Sequence, residues 1–291
     1  MDAGAAQSLR PIIERATITR LGQGVDKTRR LDPAAKARTL DCLRDYATEL
    51  ARHGATRLDV VGTSALRDAE GGAAFLDEAE RLLGTRPRVI AGDEEAELTF
   101  RGALSGLDVS GELLVFDIGG GSTELSLGRA AHKSAPQQRV SLDIGSVRLF
   151  ERHVKSDPPT AAELAAIEAD ITGALATAGP LRSVSGSVTL IGVAGTVTTL
   201  KAVELGLTPY DGARVHGAAL TLSAVERLCR ELSEVPFALR KDLPGLEPKR
   251  ADVIVAGALI VREVLRRANA TQTLVSDRGV RFGLLERLAE A

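Results

Sequence analysis

The sequence predicts an α/β protein with two packed units, and three observations support this. The chain has 291 residues, 44% of them hydrophobic and 26% charged, which is globular in composition and long enough for two domains of roughly 100–150 residues each. Strand-like segments alternate with helix-like segments along most of its length, as in a mainly parallel sheet. Two apolar strands lead directly into glycine-containing loops suited to anions.

In the first part of the chain, short strands alternate with amphipathic helices. Residues 9–21 interleave β-branched and apolar residues with charges, which predicts a pair of short strands. Asp32 and Pro33 supply an N-cap and a proline at the first helical position, so a helix is expected from there to about His53. The following elements are predicted as a strand over 57–61, a helix over 69–83, a strand over 86–90, a helix from near Asp93 and a strand over 112–116.

The second part of the chain continues the alternation with longer elements. Strands are predicted over 123–127, 138–142, 188–193 and 273–276, and helices over 161–178, 224–232, 250–267 and 282–289. A helix has to carry the chain between the two units near residues 97–102. We therefore assign residues 1–98 to an N-terminal domain and residues 99–291 to a C-terminal domain.

Composition excludes several classes of protein. Lys and Arg number 37 against 39 Asp and Glu, aromatic residues are 3% of the chain, and tryptophan is absent, which argues against a nucleic-acid binder. The two cysteines, Cys42 and Cys229, have no partner motif that would indicate a disulfide framework or a zinc site. The longest apolar run, 253–261, is far short of the roughly 20 residues of a membrane helix. We expect a cytoplasmic protein without a membrane partner.

The strongest local signal is a glycine-rich loop that follows a buried strand. Missing Cβ atoms let backbone N–H groups approach phosphate oxygens, hydroxyl groups add donors, and flanking carboxylates suit a Mg²⁺ ion or a water. The residues of this loop are Asp117, Gly119, Gly120, Gly121, Ser122, Thr123 and Glu124. The alternative is an ordinary glycine-rich turn of a hairpin, which does not require three consecutive glycines between two carboxylates.

A second loop carries a weaker signal of the same kind. Gly195 and Thr196 follow an apolar strand and open a helix, where an anion can be received at the helix N-terminus. Many strand-to-helix turns look like this without binding anything, so the local pattern leaves both interpretations open.

Two further residues are ambiguous when read locally. Glu95 lies in the acidic run 93–95, and acidic residues are favoured in a first helical turn simply by the helix dipole. Arg67 follows a strand, so it could bind a phosphate or could tie down its own loop through Asp68. The four histidines show neither metal-ligand spacing nor a nearby nucleophile, and we interpret them as surface or loop residues.

Taken together, these motifs resemble the exopolyphosphatase and guanosine pentaphosphate phosphohydrolase (Ppx/GppA) family. The resemblance covers nearly the whole chain, and the order of so many short motifs is far more specific than any one of them. In chain order the motifs occupy residues 18–26, 63–69, 91–96, 117–124, 145–148, 195–196, 250–254 and 276–279.

The resemblance implies a fold, a mechanism and a set of ligands. The fold would be the two-domain actin-like ATPase (acetate-kinase/Hsp70/actin) fold, with substrate in the cleft between the domains. Glu95 would be the general base that activates water, and Arg67 would bind the phosphate that is removed. Asp117 and Glu124 would hold Mg²⁺. A homodimer and a part in the stringent response are also implied.

Two departures from the family pattern bear on this expectation. The family begins with an apolar strand and an Asp-x-Gly-Ser/Thr-Asn-Ser loop, but residues 1–10 here contain no Asn-Ser pair after Gly4 and no strand before Asp2. We therefore expect the first strand and first phosphate loop to be missing. Gly71 replaces an asparagine that the family commonly has four residues after the arginine.

The leading functional hypothesis is an exopolyphosphatase that removes terminal orthophosphate from inorganic polyphosphate with Mg²⁺. Hydrolysis of guanosine pentaphosphate is the closest alternative, and the sequence does not separate the two. A protein that binds polyphosphate or nucleotide without hydrolysing it is a second class, motivated by the absent first loop. A sugar or acetate kinase is a weaker option, because no acceptor site is marked.

Overall fold

The computed structural model describes residues 12–70, 72–131, 136–182 and 188–290. The strands are β1 (Val61–Gly62), β2 (Arg88–Val89), β3 (Glu112–Ile118), β4 (Thr123–Arg129), β5 (Gln138–Leu142), β6 (Thr189–Val193), β7 (Ala219–Thr221) and β8 (Gln272–Val275). The helices are α1 (Val25–Thr28), α2 (Pro33–Arg52), α3 (Ser64–Asp68), α4 (Gly72–Leu83), α5 (Gly92–Ala103), α6 (Ser146–His153), α7 (Ala161–Ala176), α8 (Gly179–Arg182), α9 (Ala194–Glu204), α10 (Gly212–Val215), α11 (Leu222–Glu234), α12 (Phe237–Arg240), α13 (Ile254–Arg267) and α14 (Val280–Glu290).

The larger sheet has six strands in the described residues, in the order β5-β4-β3-β6-β8-β7. Its centre is parallel, because β6 pairs in parallel with both β3 and β8. Its two flanks are antiparallel, so the expectation of a mainly parallel sheet is wrong for this half. Strands β3 and β4 run antiparallel and are joined by a short loop. Strands β7 and β8 are also antiparallel, but the chain between them passes through α11, α12 and α13. The carboxyl ends of β3 and β6 therefore lie side by side.

A large apolar core supports this sheet. Helix α13 is buried along nearly its whole length, from Ile254 to Leu265. It packs against α7, α11, α9 and α6. Each fully buried aliphatic side chain, such as that of Ile260, stabilises the fold by roughly 1.5–3 kcal/mol relative to an exposed one. The sheet edge that carries the glycine loop therefore rests on a well-packed base.

The smaller sheet has two parallel strands, β1 and β2, in the described residues. Its apolar core is correspondingly small and centres on Val25, Leu31, Leu66 and Phe75. The strand pair predicted within 9–21 is wrong where it can be checked, since residues 12–20 form no strand. A strand needs a neighbour for its backbone hydrogen bonds, and no described strand lies alongside this segment. Residues 1–11, which include the expected truncated start, lie outside the described residues, as do Gly71 and His132.

Helix α5 joins the two halves and places Glu95 in its first turn. It packs against α14 at very short range, because a Cβ on Gly102 would collide with the Gly279 carbonyl and a Cβ on Gly283 with the Leu98 carbonyl. The boundary between residues 98 and 99 falls inside this continuous helix, and the two-domain division at that point stays a prediction.

Most other elements agree with the sequence patterns, and the differences have local causes. The helix expected over 69–83 begins only at Gly72, and a separate short helix, α3, ends before it at Asp68. The helix expected from residue 250 begins at Ile254, after a 3-10 turn over Pro248–Arg250. Helix α6 and strand β7 were not predicted, because each is too short to show a period. No described helix is long and apolar enough to cross a membrane.

Candidate active site

Three carboxylates converge where β3, β4 and α5 meet. Asp117 on β3 and Glu124 on β4 are direct cross-strand partners, so their side chains lie on the same face of the sheet. Glu95 reaches this point from the first turn of α5. Side chains of this kind are rarely buried, yet the exposed fractions are 8% for Glu95, 9% for Asp117 and 2% for Glu124. The three charges therefore face one another with little water between them.

Burial and mutual repulsion weaken the acidity of these groups. Burial, with the charge of Glu95, raises the pKa of Asp117 to about 7, against a hydrogen bond that Thr99 donates at 3.3 Å. Burial, with the charges of Glu95 and Asp117, raises the pKa of Glu124 to about 8. Burial also raises the pKa of Glu95, although Arg67 opposes this. A cluster of carboxylates with raised pKa values is typical of a site that takes up protons or cations.

Arg67 lies against this cluster at the end of the short helix α3. Its Nη1 donates to Glu95 Oε2 at 2.7 Å and to the Ile90 carbonyl at 2.9 Å. No hydrogen bond from its Nη2 occurs among the described residues, so this nitrogen is available to a ligand. The two residues that were ambiguous in sequence are thus direct partners, and Arg67 does not pair with Asp68.

The glycine loop presents its carbonyl groups to one side. The Gly119 carbonyl accepts from the backbone N–H of Ser146, and the Gly120 carbonyl accepts from those of Val147 and Arg148, each at 3.0 Å. The N–H groups of Gly120 and Gly121 have no partner in the described part of the chain. Free, successive backbone N–H groups form a concave anion-binding surface. The N-terminus of α6 therefore orients the loop, while the loop amides remain open to a phosphate.

The two hydroxyl residues of the loop differ in their roles. Ser122 is buried beside Glu124 and donates a hydrogen bond that opposes the rise in the pKa of Glu124. Thr123 is fully buried, and its Oγ1 donates to the Ile144 carbonyl at 2.6 Å. That bond ties β4 to the turn before α6, so the described geometry gives Thr123 a structural part in holding the loop.

The second loop adjoins the first because β6 is the neighbour of β3 in the sheet. Thr196 Oγ1 donates to the Ile118 carbonyl at 3.4 Å, which links the two loops directly. Ala194 has a φ of 66°, a left-handed conformation that costs a non-glycine residue roughly 1–3 kcal/mol. Such strain is often found at ligand-binding turns.

The guanidinium of Arg250 covers Gly195 so closely that a Cβ on that glycine would collide with it. Burial lowers the pKa of Arg250, and its side chain has no hydrogen-bond partner among the described residues. The charge of Glu247 partly offsets this effect, and the open guanidinium donors suit an anionic ligand. The sequence motif at 250–254 contained this arginine, but its spacing from Gly195 gave no sign of the contact.

Other supporting residues were also missed from the sequence. Thr99 lies one helical turn after Glu95, a spacing that could have indicated a shared face. Ser141 is the cross-strand partner of Glu124 on β5, and its Oγ donates to Glu124 Oε1 at 2.7 Å. Strand register, which the sequence does not reveal, brings this pair together.

The carboxylates of this site are possible ligands of a metal ion. No group of three or more His, Cys, Asp or Glu side chains in the described ranges is arranged as a metal cage. Mg²⁺ does not need one, because it usually takes one or two carboxylates and completes its shell with water and substrate phosphate. Asp117 and Glu124 fit that description.

Known proteins resemble this chain along nearly its whole length. A sequence model of the Ppx/GppA phosphatase family matches residues 2–291. Exopolyphosphatase 2 of Mycobacterium tuberculosis is 40% identical, over 99% of this chain and 92% of its own length. The guanosine-5'-triphosphate,3'-diphosphate pyrophosphatase of Photobacterium profundum is 32% identical, over 97% of this chain and 54% of its own length.

A solved structure of the same family also resembles this chain. The Ppx/GppA family member of Aquifex aeolicus superposes with a TM-score of 0.78 at 33% identity, covering 96% of this chain and 90% of its own. The α/β prediction with the two-domain actin-like architecture is thereby confirmed, and phosphatases of this family depend on a metal ion. The chain belongs to the Ppx/GppA phosphatase family.

Proposed function

We propose that this protein is an exopolyphosphatase that releases orthophosphate from the end of inorganic polyphosphate. The observation that carries the proposal is the convergence of Glu95, Asp117 and Glu124 with Arg67 beside an open glycine loop. Such a site has a base, a cation for the phosphate and free amides, and it needs no covalent nucleophile. The similarity to a mycobacterial exopolyphosphatase supports the same activity.

The terminal phosphate would bind between Arg67 Nη2 and the free amides of Gly120 and Gly121. Glu95 would hold a water through its Oε1, since its Oε2 is already paired with Arg67. As the water oxygen attacks phosphorus, Glu95 accepts the proton, and the anhydride bond to the next phosphate breaks. The products are orthophosphate and a polyphosphate chain shorter by one unit.

Asp117 and Glu124 are the proposed ligands of Mg²⁺, consistent with their position beside the loop. When bound, the ion would supply positive charge that neutralises the phosphate oxygens. The protein's own part is to hold both carboxylates in place, through Thr99 for Asp117 and Ser141 for Glu124. Ser122 and Thr123 keep the loop in register with them.

The second loop offers a binding site for the following phosphates of the chain. Gly195 and Thr196 lie beside the first loop, and the unpaired guanidinium of Arg250 covers them. Polyphosphate carries a charge on every unit, so a second cation beyond Arg67 favours a polymer over a single phosphate. This arrangement supports polyphosphate as the leading substrate.

Guanosine pentaphosphate is the second candidate, favoured by the similarity to a curated pyrophosphatase of that nucleotide. Its terminal phosphate would meet the same residues. Initial rates of phosphate release from long polyphosphate and from guanosine pentaphosphate, at equal concentrations of phosphate ends, would separate the two activities.

The decisive experiment compares Glu95→Gln with Glu94→Gln. Glu94 lies in the same helical turn but pairs with Arg88 and Arg287 on the surface. Loss of a general base should lower kcat about 100-fold or more while polyphosphate binding, measured by isothermal titration calorimetry, persists. Glu94→Gln should behave like the wild type. Equal rates for both variants would refute the role of Glu95, and a wild type that binds but releases no phosphate would favour the binding-protein alternative.

We further propose a homodimer, as the family resemblance implies, and a cytoplasmic location, as the sequence pattern predicts. Light scattering coupled to size-exclusion chromatography would test the first, and cell fractionation the second. A monomer at micromolar concentration would contradict the dimer.

A further inference from the structure

Arg148 contacts the glycine loop, and its contacts reach both halves of the molecule. It lies in the first turn of α6, and its side chain is only 6% exposed. Its Nε donates to the Gly121 carbonyl at 2.5 Å. Its Nη1 donates to Asp26 on α1 and its Nη2 to Asp68 at the end of α3. One guanidinium thus bonds to the loop and to two carboxylates of the N-terminal half.

Two of the three partners of Arg148 are adjacent to functional residues. Gly121 carries one of the free loop amides, and Asp68 directly follows Arg67. The loop and α3 also approach closely, since a Cβ on Gly121 would lie 2.8 Å from Ser64 Oγ. Arg148 therefore fixes the distance between the phosphate-binding loop and the arginine opposite to it.

The boundary between these elements contains open space. Next to the contact lies a cavity of about 250 Å³, lined by residues of both halves that include Ser64, Asp68, Gly120 and Arg148. The nearby bonds between the halves are polar as well, such as the one that the Gly24 N–H donates to Glu151. With an open cavity at this boundary, the ion pairs of Arg148 contribute directly to the placement of α3 relative to the loop.

We propose that Arg148 is a positioning residue for the reaction: by clamping Asp68 and Asp26 to the Gly121 carbonyl, it holds α3, and with it Arg67, at working distance from the loop. The expected effect on catalysis rests on the proposed function, whereas the expected effect on the placement of α3 does not. Without the guanidinium, Asp68 would face the Gly121 carbonyl with no cation between them, and repulsion would move α3 away from the loop.

Arg152 provides a matched control. It lies one turn further along α6, carries the same charge and also pairs with Asp26, but it has no bond to the loop or to Asp68. A general loss of charge on α6 would affect both variants alike, whereas the proposed clamp is specific to Arg148.

The first test measures geometry without relying on activity. In hydrogen–deuterium exchange of the full chain, Arg148→Ala should increase exchange in residues 64–68 and 119–122 together, and Arg152→Ala should leave both segments as in the wild type. If Arg148→Ala does not fold, Asp68→Asn, which removes only the charge that Nη2 contacts, should give the same coupled increase in a milder form. Unchanged exchange in residues 64–68 would overturn the proposal.

The second test measures the catalytic consequence. A displacement on the order of 1 Å at reacting groups costs up to about 100-fold in rate, so Arg148→Ala should lower kcat roughly 10- to 100-fold. KM for long polyphosphate should change by less than about threefold, because Arg250 and the loop amides still bind the polymer. Arg148→Lys should not restore kcat, since one ammonium cannot bond three acceptors in the plane of a guanidinium.

The two tests separate failure of the clamp from failure of the proposed function. A rise in KM with unchanged kcat would identify Arg148 as a binding residue and contradict a positioning role. If the wild type hydrolyses neither substrate, the proposed function is wrong, and the exchange experiment still decides whether Arg148 couples α3 to the loop.

Discussion

The two sheets of this protein begin from the same alternation of strand and helix but differ in how they are stabilised. The C-terminal sheet has six strands over a large apolar core, whereas the N-terminal sheet has two strands in the described residues and a small core around Phe75. The wall of the site on the C-terminal sheet therefore rests mainly on a large apolar core. The wall on the N-terminal side has less apolar packing, so ion pairs such as those of Arg148 contribute more to its placement.

The largest effects are expected from substitutions in the two apolar cores. Ile260→Ala should lower the free energy of unfolding by roughly 2–5 kcal/mol, as for other fully buried aliphatic residues. The loss should extend across the C-terminal sheet. Phe75→Ala should mainly increase hydrogen exchange in residues 61–90 while β3 and β6 stay protected. Urea unfolding and exchange would measure both. Equal loss of protection in both sheets after Phe75→Ala would contradict the difference.

The carboxylate cluster gives the C-terminal wall a distinct pH dependence. The pKa of Glu124 is raised to about 8 in the folded state, so between about pH 4 and pH 8 the folded protein binds a proton that the unfolded chain releases. Stability without metal should therefore fall as the pH rises through this window. Glu124→Gln, which cannot ionise, should be more stable than the wild type at pH 8.5 by on the order of 1–3 kcal/mol.

The same window provides the control for that prediction. At pH 4 the wild-type carboxyl is protonated, so Glu124→Gln and the wild type should have similar stability. Adding Mg²⁺ at pH 8.5 should raise the melting temperature of the wild type more than that of the variant, if Glu124 is a ligand. A wild type whose stability increased from pH 5 to pH 8 would contradict the burial of these charges.

A substitution at Gly121 tests the close approach of the two walls. A Cβ there would lie 2.8 Å from Ser64 Oγ on the N-terminal side, so Gly121→Ala should push α3 outward and lower kcat about tenfold. Ser64→Ala removes the hydroxyl concerned, and the double variant should recover most of the loss. Failure of the double variant to recover would place the effect in the loop itself.

The smallest expected effects come from partly exposed or open positions. Arg20 and Asp252 form an ion pair at 2.5 Å with about a quarter of each side chain exposed, so Arg20→Ala should cost about 1 kcal/mol or less. Gly173 lies in α7 with nothing near its missing Cβ, and Gly173→Ala should stabilise by about 0.5–1 kcal/mol. Thermal unfolding would measure both, and a large loss for Arg20→Ala would show that this pair also clamps the halves.

Much of the site could be predicted from local pattern. The strand that ends in Asp117, the glycine loop and the capped helix α2 each depend on residues close in sequence, and each appears in the structure as expected. The strand pair in residues 12–20 failed because apolar alternation shows that a segment can form a strand but not that a partner is present. Thr99, Ser141 and Arg250 were missed because their contacts cross between elements.

The sequence by itself determined which chemical groups this protein has and which elements carry them, because glycine runs, caps and strand alternation act over a few residues. Only the tertiary structure decided which groups meet. It paired Arg67 with Glu95 rather than with Asp68, set Glu124 opposite Asp117, and gave Arg148 three partners in two halves of the chain. These choices depend on strand register and helix packing, in which a shift of one residue would exchange every partner.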